Sequence, residues 1–274
     1  MQTLLAFRDP SAFDVLHVHM TWSSIAAAAA CGRPVVHTLH GALSQPMQEL
    51  YGLAPDRLWY VAISEAQRRK MSRLRYAGVV YNGIDVDAYP LRKDKDEYLL
   101  FLGRTPPEKG LLRALRTARI VGLPLVAAVK IAQPDELQHW NADIEPELHD
   151  DVEVLGEISH DRKVDLLARA RALLFPIDWE EPFGLVMTEA MACGTPVIVT
   201  PRGSVPEIVA DGETGWILPV EDCPEGAARA IERLDEIDPT TCRERVERLF
   251  SKEAMLDGYE RVFERVLSEE TRRS

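Results

Sequence analysis

Short apolar runs alternate with segments of helical spacing along nearly the whole chain, in two series. In the first series, residues 13–19 and 34–40 predict strands, with an alanine-rich helix over residues 21–31 between them that Gly32 ends. Residues 59–63 and 78–81 predict two more strands, separated by a helix that starts behind Ser64 as N-cap and runs to about Leu74. The second series predicts strands at residues 98–102, 124–130, 152–155, 172–175, 197–200 and 216–218, with helical patterns between most of them. Helices from about residues 225, 240 and 252 close the chain. Such alternation implies an α/β fold built from doubly wound parallel sheets. Between the series lie the turn pair Asn82-Gly83, then Pro90 and a charge run over residues 92–97. They place the boundary at about residue 88, giving domains 1–88 and 89–274.

Bulk properties narrow the class. The 274 residues suffice for two cores, and 46% hydrophobic with 28% charged residues is a globular balance. A formal net charge of -12 argues against a general nucleic-acid binder. Cys31, Cys193, Cys223 and Cys242 have neither CxxC spacing nor a paired-histidine pattern, so they are expected to be reduced thiols, not a disulfide frame or zinc site. No apolar run reaches the roughly 18 residues of a membrane span, and the run 26–30 is too short and too internal for a signal peptide. These features together give the expectation of a cytoplasmic protein.

Candidate chemistry concentrates around residues 172–200. Glu181 and Glu189, with seven residues between them, straddle a turn from the strand at 172–175 into a helix that Pro182 and Gly184 introduce. Free backbone N–H groups and the helix dipole at such a start favour anions, which suits the phosphates and sugar of a nucleotide; capping by the acids is the alternative. Arg104 and Lys109 bracket the loop after the strand at 98–102, where a guanidinium fork and a point charge could meet a diphosphate. Neither GxxxxGK[ST] nor GxGxxG occurs. His19 and His40 fall at carboxyl ends of predicted strands, where doubly wound sheets gather ligands; a purely structural role is the alternative for both, and more so for His19. The basic run over residues 68–75 is expected to be a solvated helix face, with an anionic membrane surface or a phosphorylated acceptor as the alternative contact.

Four segments then occur in a telling order: residues 103–110 (Gly-Arg-Thr-Pro-Pro-Glu-Lys-Gly), 181–197 (Glu-Pro-Phe-Gly-Leu through Cys-Gly-Thr-Pro-Val), 203–207 (Gly-Ser-Val-Pro-Glu) and 211–215 (Asp-Gly-Glu-Thr-Gly). With the further matches at 14–19, 37–41 and 82–85, the sequence closely resembles family-4 (group 1) glycosyltransferases of the GT-B fold over about residues 11–268. The resemblance implies two Rossmann-like domains. Residues 1–88 would form an acceptor-side domain, and 89–274 a donor-binding domain with closing helices.

Carried over by position, the resemblance implies that Glu189 binds the donor ribose. Glu181 and the backbone of Phe183, Gly184 and Leu185 would hold the donor sugar and distal phosphate. Arg104 and Lys109 would neutralise the leaving diphosphate, and His40, with His19, would face the transferred sugar. Lys130 is a further donor contact, although Val129 stands where relatives often have glycine; Glu207 is expected to be structural. The implied reaction is retaining and metal-independent, with no cofactor beyond the nucleotide-diphosphate sugar donor. The acceptor would be a glycan, lipid or small molecule of polysaccharide or cell-envelope synthesis.

The first domain has room for about four strands, and residues 1–10 supply neither the opening strand nor the glycine-rich turn of relatives. It is therefore expected to be incomplete, with a second chain completing it as one solution. A non-catalytic nucleotide-sugar-binding remnant stays open as an alternative. So, more remotely, does a nucleotide-sugar epimerase. Residues 251–267 read as an amphipathic helix through Met255, Tyr259, Val262, Phe263 and Val266, packed against the domains; in relatives the terminal helix often returns to the first domain.

Overall fold

The computed structural model describes residues 12–19, 25, 28, 31–53 and 58–272. The chain divides into two compact units, one from the N-terminal segment to Gly83 together with the segment from Lys252, the other Ile84–Ser251. Residues 1–10 and most of the helix expected at 21–31 lie outside the described residues.

In the first unit, β1 (Leu16–Val18), β2 (Val35–Thr38), β3 (Leu58–Ala62) and β4 (Tyr76–Val79) form a parallel sheet in chain order. Helix α1 (Gln45–Gly52) follows β2, and α2 (Glu65–Lys70) follows β3, capped by the Ser64 hydroxyl at the Gln67 N–H. The two-residue period of a strand sorts side chains between the two faces. Val35, Leu58 and Tyr60 join one cluster with Leu39, Tyr51 and Met71. Their neighbours Val36, Trp59 and Val61 point the other way, into a second cluster. The strand expected at 78–81 lies at Tyr76–Val79, and its pairing with β3 slips between Tyr60 and Val61, an irregularity that the apolar pattern does not encode.

The second unit holds β5 (Leu99–Arg104), α3 (Leu111–Val121), β6 (Leu125–Lys130), α4 (Pro134–His139), β7 (Val152–Leu155), α5 (His160–Arg169), β8 (Ala172–Phe175) and α6 (Leu185–Ala192). It continues through β9 (Val197–Val199), α7 (Val205–Ile208), β10 (Gly215–Ile217), α8 (Glu225–Ile231) and α9 (Pro239–Leu249). Its six strands are parallel in the order β10-β9-β8-β5-β6-β7. The chain moves outward from β5 in one direction and resumes at β8 in the other. The carboxyl ends of β5 and β8 therefore flank the point where winding reverses, the place at which such sheets bind ligands.

The last helix, α10 (Lys252–Thr271), lies with the first unit, not with the domain 89–274. Its buried stripe explains the difference: Val262 and Val266 complete the cluster of Val36, Trp59 and Val61, with Met255, Tyr259 and Phe263 packed around it. Gly258 permits this contact, since a Cβ there would stand 2.9 Å from Val80 Cγ1. The far end is fastened by Glu270, which accepts from Trp59 Nε1 at 3.2 Å and from Arg75 at 3.1 Å, while Arg75 covers the Trp59 ring at 3.3 Å. Arg75 of the basic run thus serves packing. Residues 84–88, expected before the boundary, belong to the second unit, where Ile84 N–H donates to Phe250 O at 2.9 Å.

Candidate functional site

The turn leaving β8 is fixed by its own backbone. Glu181 N–H donates to Trp179 O at 2.9 Å, and the Glu181 carbonyl accepts from Ser204 N–H at 2.9 Å. The Ser204 hydroxyl donates to Phe183 O at 2.9 Å. Gly203 makes the approach feasible: its φ is 59°, and a Cβ would stand 2.2 Å from Glu181 O. Asp178 N–H donates to Glu108 O at 2.7 Å, tying this turn to the loop after β5.

The Phe183 ring is buried and meets Phe250 edge-on at 5.8 Å, so its side chain anchors the turn and leaves only its backbone for a ligand. Gly184, at φ 81°, then starts α6, and Leu185 at the first helical position is 44% exposed. Met187 N–H returns to Gly184 O at 3.0 Å. The Leu185 and Val186 amides, as first-turn donors, have no intrahelical acceptor.

The two acids stand in parallel arrangements. Glu181 Oε2 accepts from Lys109 Nζ at 3.1 Å, and that ammonium also lies 3.9 Å from the Trp179 ring centroid. One turn into α6, Glu189 is 9% exposed. Its Oε1 accepts from Lys163 Nζ at 2.6 Å and from the Tyr89 hydroxyl at 2.9 Å. Burial first, then the adjacent Glu189 carboxylate, pushes the Tyr89 phenol up, so it stays a donor. Each carboxylate is thus held by a lysine at one oxygen, and among the described residues no hydrogen bond reaches the other.

Arg104 ends β5 and is half-exposed, but its guanidinium pairs with Glu136, which is 2% exposed and whose Oε2 also accepts Ala132 N–H at 2.8 Å. Lys130 is the register partner of Arg104 on β6, and its ammonium pairs with the exposed Glu157 at 2.9 Å. Glu207 lies in the first turn of α7, and its carbonyl accepts from Arg245 at 2.9 Å.

In the first unit, His19 and His40 meet each other just past β1 and β2, with Nδ1 of His19 2.8 Å from Nε2 of His40. The His17 ring lies 4.2 Å from that of His19, and its Nε2 is 2.8 Å from the Thr38 hydroxyl, which is 2.9 Å from the Tyr259 hydroxyl. Burial, then the neighbouring imidazoles, lowers His17 and His37 to about 4. His19 and His40 are lowered too, first by burial. The cluster is therefore uncharged at neutral pH.

The structure thus gathers Lys109 with Glu181, and His19 with His40, while giving Glu189, Arg104 and Lys130 separate partners. Sequence reasoning missed Tyr89, Lys163, Glu136, Glu157 and His17. Of these only His17 carried a signal, as the middle residue of a strand already marked by His19. Among the described residues, no group of three or more His, Cys, Asp or Glu side chains could hold a metal, and no helix is long and apolar enough to cross a membrane. Cys193 and Cys242 are buried free thiols pushed up by that burial to about 12, beyond ordinary reactivity.

Comparison with known proteins places this geometry. The family model described as "Glycosyl transferases group 1" matches residues 86–248, and one described as "Glycosyltransferase Family 4" matches residues 2–88. The chain is similar to phosphatidyl-myo-inositol mannosyltransferase of Mycolicibacterium smegmatis, 30% identical over 247 residues covering 82% of this chain and 63% of that protein. D-inositol 3-phosphate glycosyltransferase of the same organism is 29% identical, with 84% of this chain and 62% of the relative covered. The chain thus spans a little over three-fifths of the length of these curated relatives. Among solved structures, sucrose-phosphate synthase from Thermosynechococcus elongatus matches with a TM-score of 0.77 at 21% identity, over 97% of this chain and 77% of that one. HepE of Anabaena, solved in complex with UDP and glucose, matches with a TM-score of 0.77 at 19% identity, over 96% and 80%. These likenesses fix the fold as GT-B.

Proposed function

Because the chain belongs to the group 1 glycosyl transferases, we propose that it moves a sugar from a nucleotide-diphosphate sugar to a glycan, lipid or small-molecule acceptor. The observation that carries this reading is the Lys109–Glu181 pair at the β5/β8 reversal, beside the start of α6. A cation, a carboxylate and first-turn amides there match the three parts of such a donor: diphosphate, sugar hydroxyls and phosphate oxygens. The solved complexes of HepE with UDP and UDP-glucose make a uridine donor the first to try.

In the proposed reaction the acceptor oxygen bonds to the anomeric carbon on the face from which the diphosphate departs. The bond from that carbon to the phosphate oxygen breaks, and the leaving phosphate takes the acceptor proton. Products are the glycosylated acceptor, with anomeric configuration retained, and the nucleoside diphosphate. Lys109, with Arg104 once it is shared with or released from Glu136, offsets the charge that develops on the diphosphate. Positioning and fixed charge supply the acceleration, without a metal. Glu189 takes the ribose hydroxyls, and Glu181 with the backbone of Phe183, Gly184 and Leu185 takes the sugar and distal phosphate. Lys130 is an outlying donor contact. His40, supported by His19, faces the transferred sugar as a neutral hydrogen-bonding group.

The test is a thermal-shift screen of the full chain with UDP-, GDP- and ADP-sugars, followed by product analysis with candidate acceptors and with chelator added. Stabilisation by one donor, transfer with retained configuration and indifference to the chelator are expected. Inverted product or loss of transfer on chelation overturns the mechanism. Donor binding without transfer or hydrolysis points to a binding remnant, and release of nucleotide with an epimerised free sugar points to an epimerase.

A further inference from the structure

We infer that Lys163 and Tyr89 are positioning residues for the donor ribose: together they fix the Glu189 carboxylate so that Oε2 alone is presented to the nucleoside hydroxyls. The inference rests on the reading of Glu189 as the ribose-binding acid. A glutamate carboxylate turns easily about its last torsion, and its two oxygens are chemically equivalent. Unrestrained, it offers either oxygen in many planes, and a ligand must order it on binding. Here two donors from different elements converge on Oε1, Lys163 from α5 at 2.6 Å and Tyr89 from the segment before β5 at 2.9 Å.

Two donors on one oxygen define both the plane and the rotation of the carboxylate. Tyr89 is itself braced, because the His160 ring meets it edge-on at 5.9 Å and the Tyr89 carbonyl accepts from Arg243. Lys163 and His160 leave the same helix one turn apart, so α5 supplies both the charge and the brace. Simple neutralisation of a nearly buried glutamate would need only the lysine. The second donor on the same oxygen is what a fixed orientation requires, and it leaves Oε2 as an acceptor for hydroxyls that donate.

A chemical double-mutant cycle tests this. The full chain and its Lys163→Met, Lys163→Arg, Tyr89→Phe and Glu189→Gln variants are titrated with UDP, GDP and ADP and with the 2′-deoxy and 3′-deoxy forms of whichever binds. Wild type and Lys163→Arg are expected to lose about ten-fold in affinity when a ribose hydroxyl is removed, the scale of one hydrogen bond to a charged group. In Lys163→Met and Tyr89→Phe that loss shrinks to about two-fold, because the oriented acceptor is already gone. If Lys163→Met does not fold, Tyr89→Phe decides alone. Full discrimination retained in Lys163→Met or Tyr89→Phe, with discrimination lost in Glu189→Gln, overturns the positioning role and leaves the ribose assignment standing. Full discrimination retained in Glu189→Gln removes Glu189 from the ribose, and the inference falls with it.

Discussion

The two units place polar side chains at the carboxyl ends of their parallel strands, but they treat charge in opposite ways. The first gathers His17, His19, His37 and His40, and burial lowers all four, helped at His17, His37 and His40 by neighbouring imidazoles, so they are neutral at neutral pH. The second keeps full charges and pairs each with an opposite: Lys109 with Glu181, Lys163 with Glu189, Arg104 with Glu136. An uncharged cluster suits hydroxyl-bearing ligands and leaves a departing anion to other groups. A phosphate arriving at the Lys109–Glu181 pair would meet a cation already oriented for it. Lys163, by contrast, stays on Glu189, and releasing Arg104 costs more, because the buried Glu136 carboxylate would lose its counter-charge. The division of labour between sugar-facing and diphosphate-facing residues in the proposed reaction follows this contrast.

Breaking the charged side is expected to have the largest effect. Lys109→Ala should lower kcat by about 100-fold, the scale of one lost stabilising donor at a developing charge. A decrease of less than about three-fold would take Lys109 out of the chemistry.

The neutral side should reveal itself through pH. His37 titrates at about 4 in the fold against its ordinary 6.5, so between those values the unfolded chain binds more protons. Its contribution is complete above about pH 6.5 and lost as pH falls toward 4, on the order of 3 kcal/mol. Hydrogen exchange should show amides of β2 and β3 losing protection on acidification before those of β5 and β8. Simultaneous loss in both sheets would contradict the contrast.

His40→Gln, which keeps a hydrogen-bonding group but breaks the contact with His19, is expected to cut transfer about ten-fold. Nucleotide affinity should stay unchanged in the same titration. The smallest effect belongs to Lys130→Ala. Its pair with Glu157 is exposed on both sides, so thermal unfolding should register at most about 1 kcal/mol. A larger loss would mean that Lys130 carries structure beyond that pair.

Much of this was legible in the sequence where the information is local. Strand alternation in Val35 and Val36, or in Leu58 and Trp59, tells which face is buried, and the break at Pro182 and Gly184 marks the start of α6 within a residue. Partners brought in by topology were not legible. Lys163 is 26 positions from Glu189 and sits on a helix that reads as an ordinary charged face; only the placement of α5 beside α6 joins them. Glu136 was hidden in the same way, since nothing near it in sequence announces that its carboxylate will be buried against Arg104. The domain bounds put α10 with 89–274, although the resemblance allowed its return to the first domain, because an amphipathic stripe shows that a helix packs without showing on what. The match of Val262 and Val266 to the face of Val36 and Trp59 appears only once the first sheet is built.

The most direct measurement is an equilibrium titration of the full chain with the UDP-, GDP- or ADP-sugar selected by thermal shift, repeated in Glu189→Ala and His40→Gln. Donor binding lost in Glu189→Ala and intact in His40→Gln is the predicted result. Binding that survives in Glu189→Ala, or disappears in His40→Gln, would contradict a donor site built on the charged turn of the second unit.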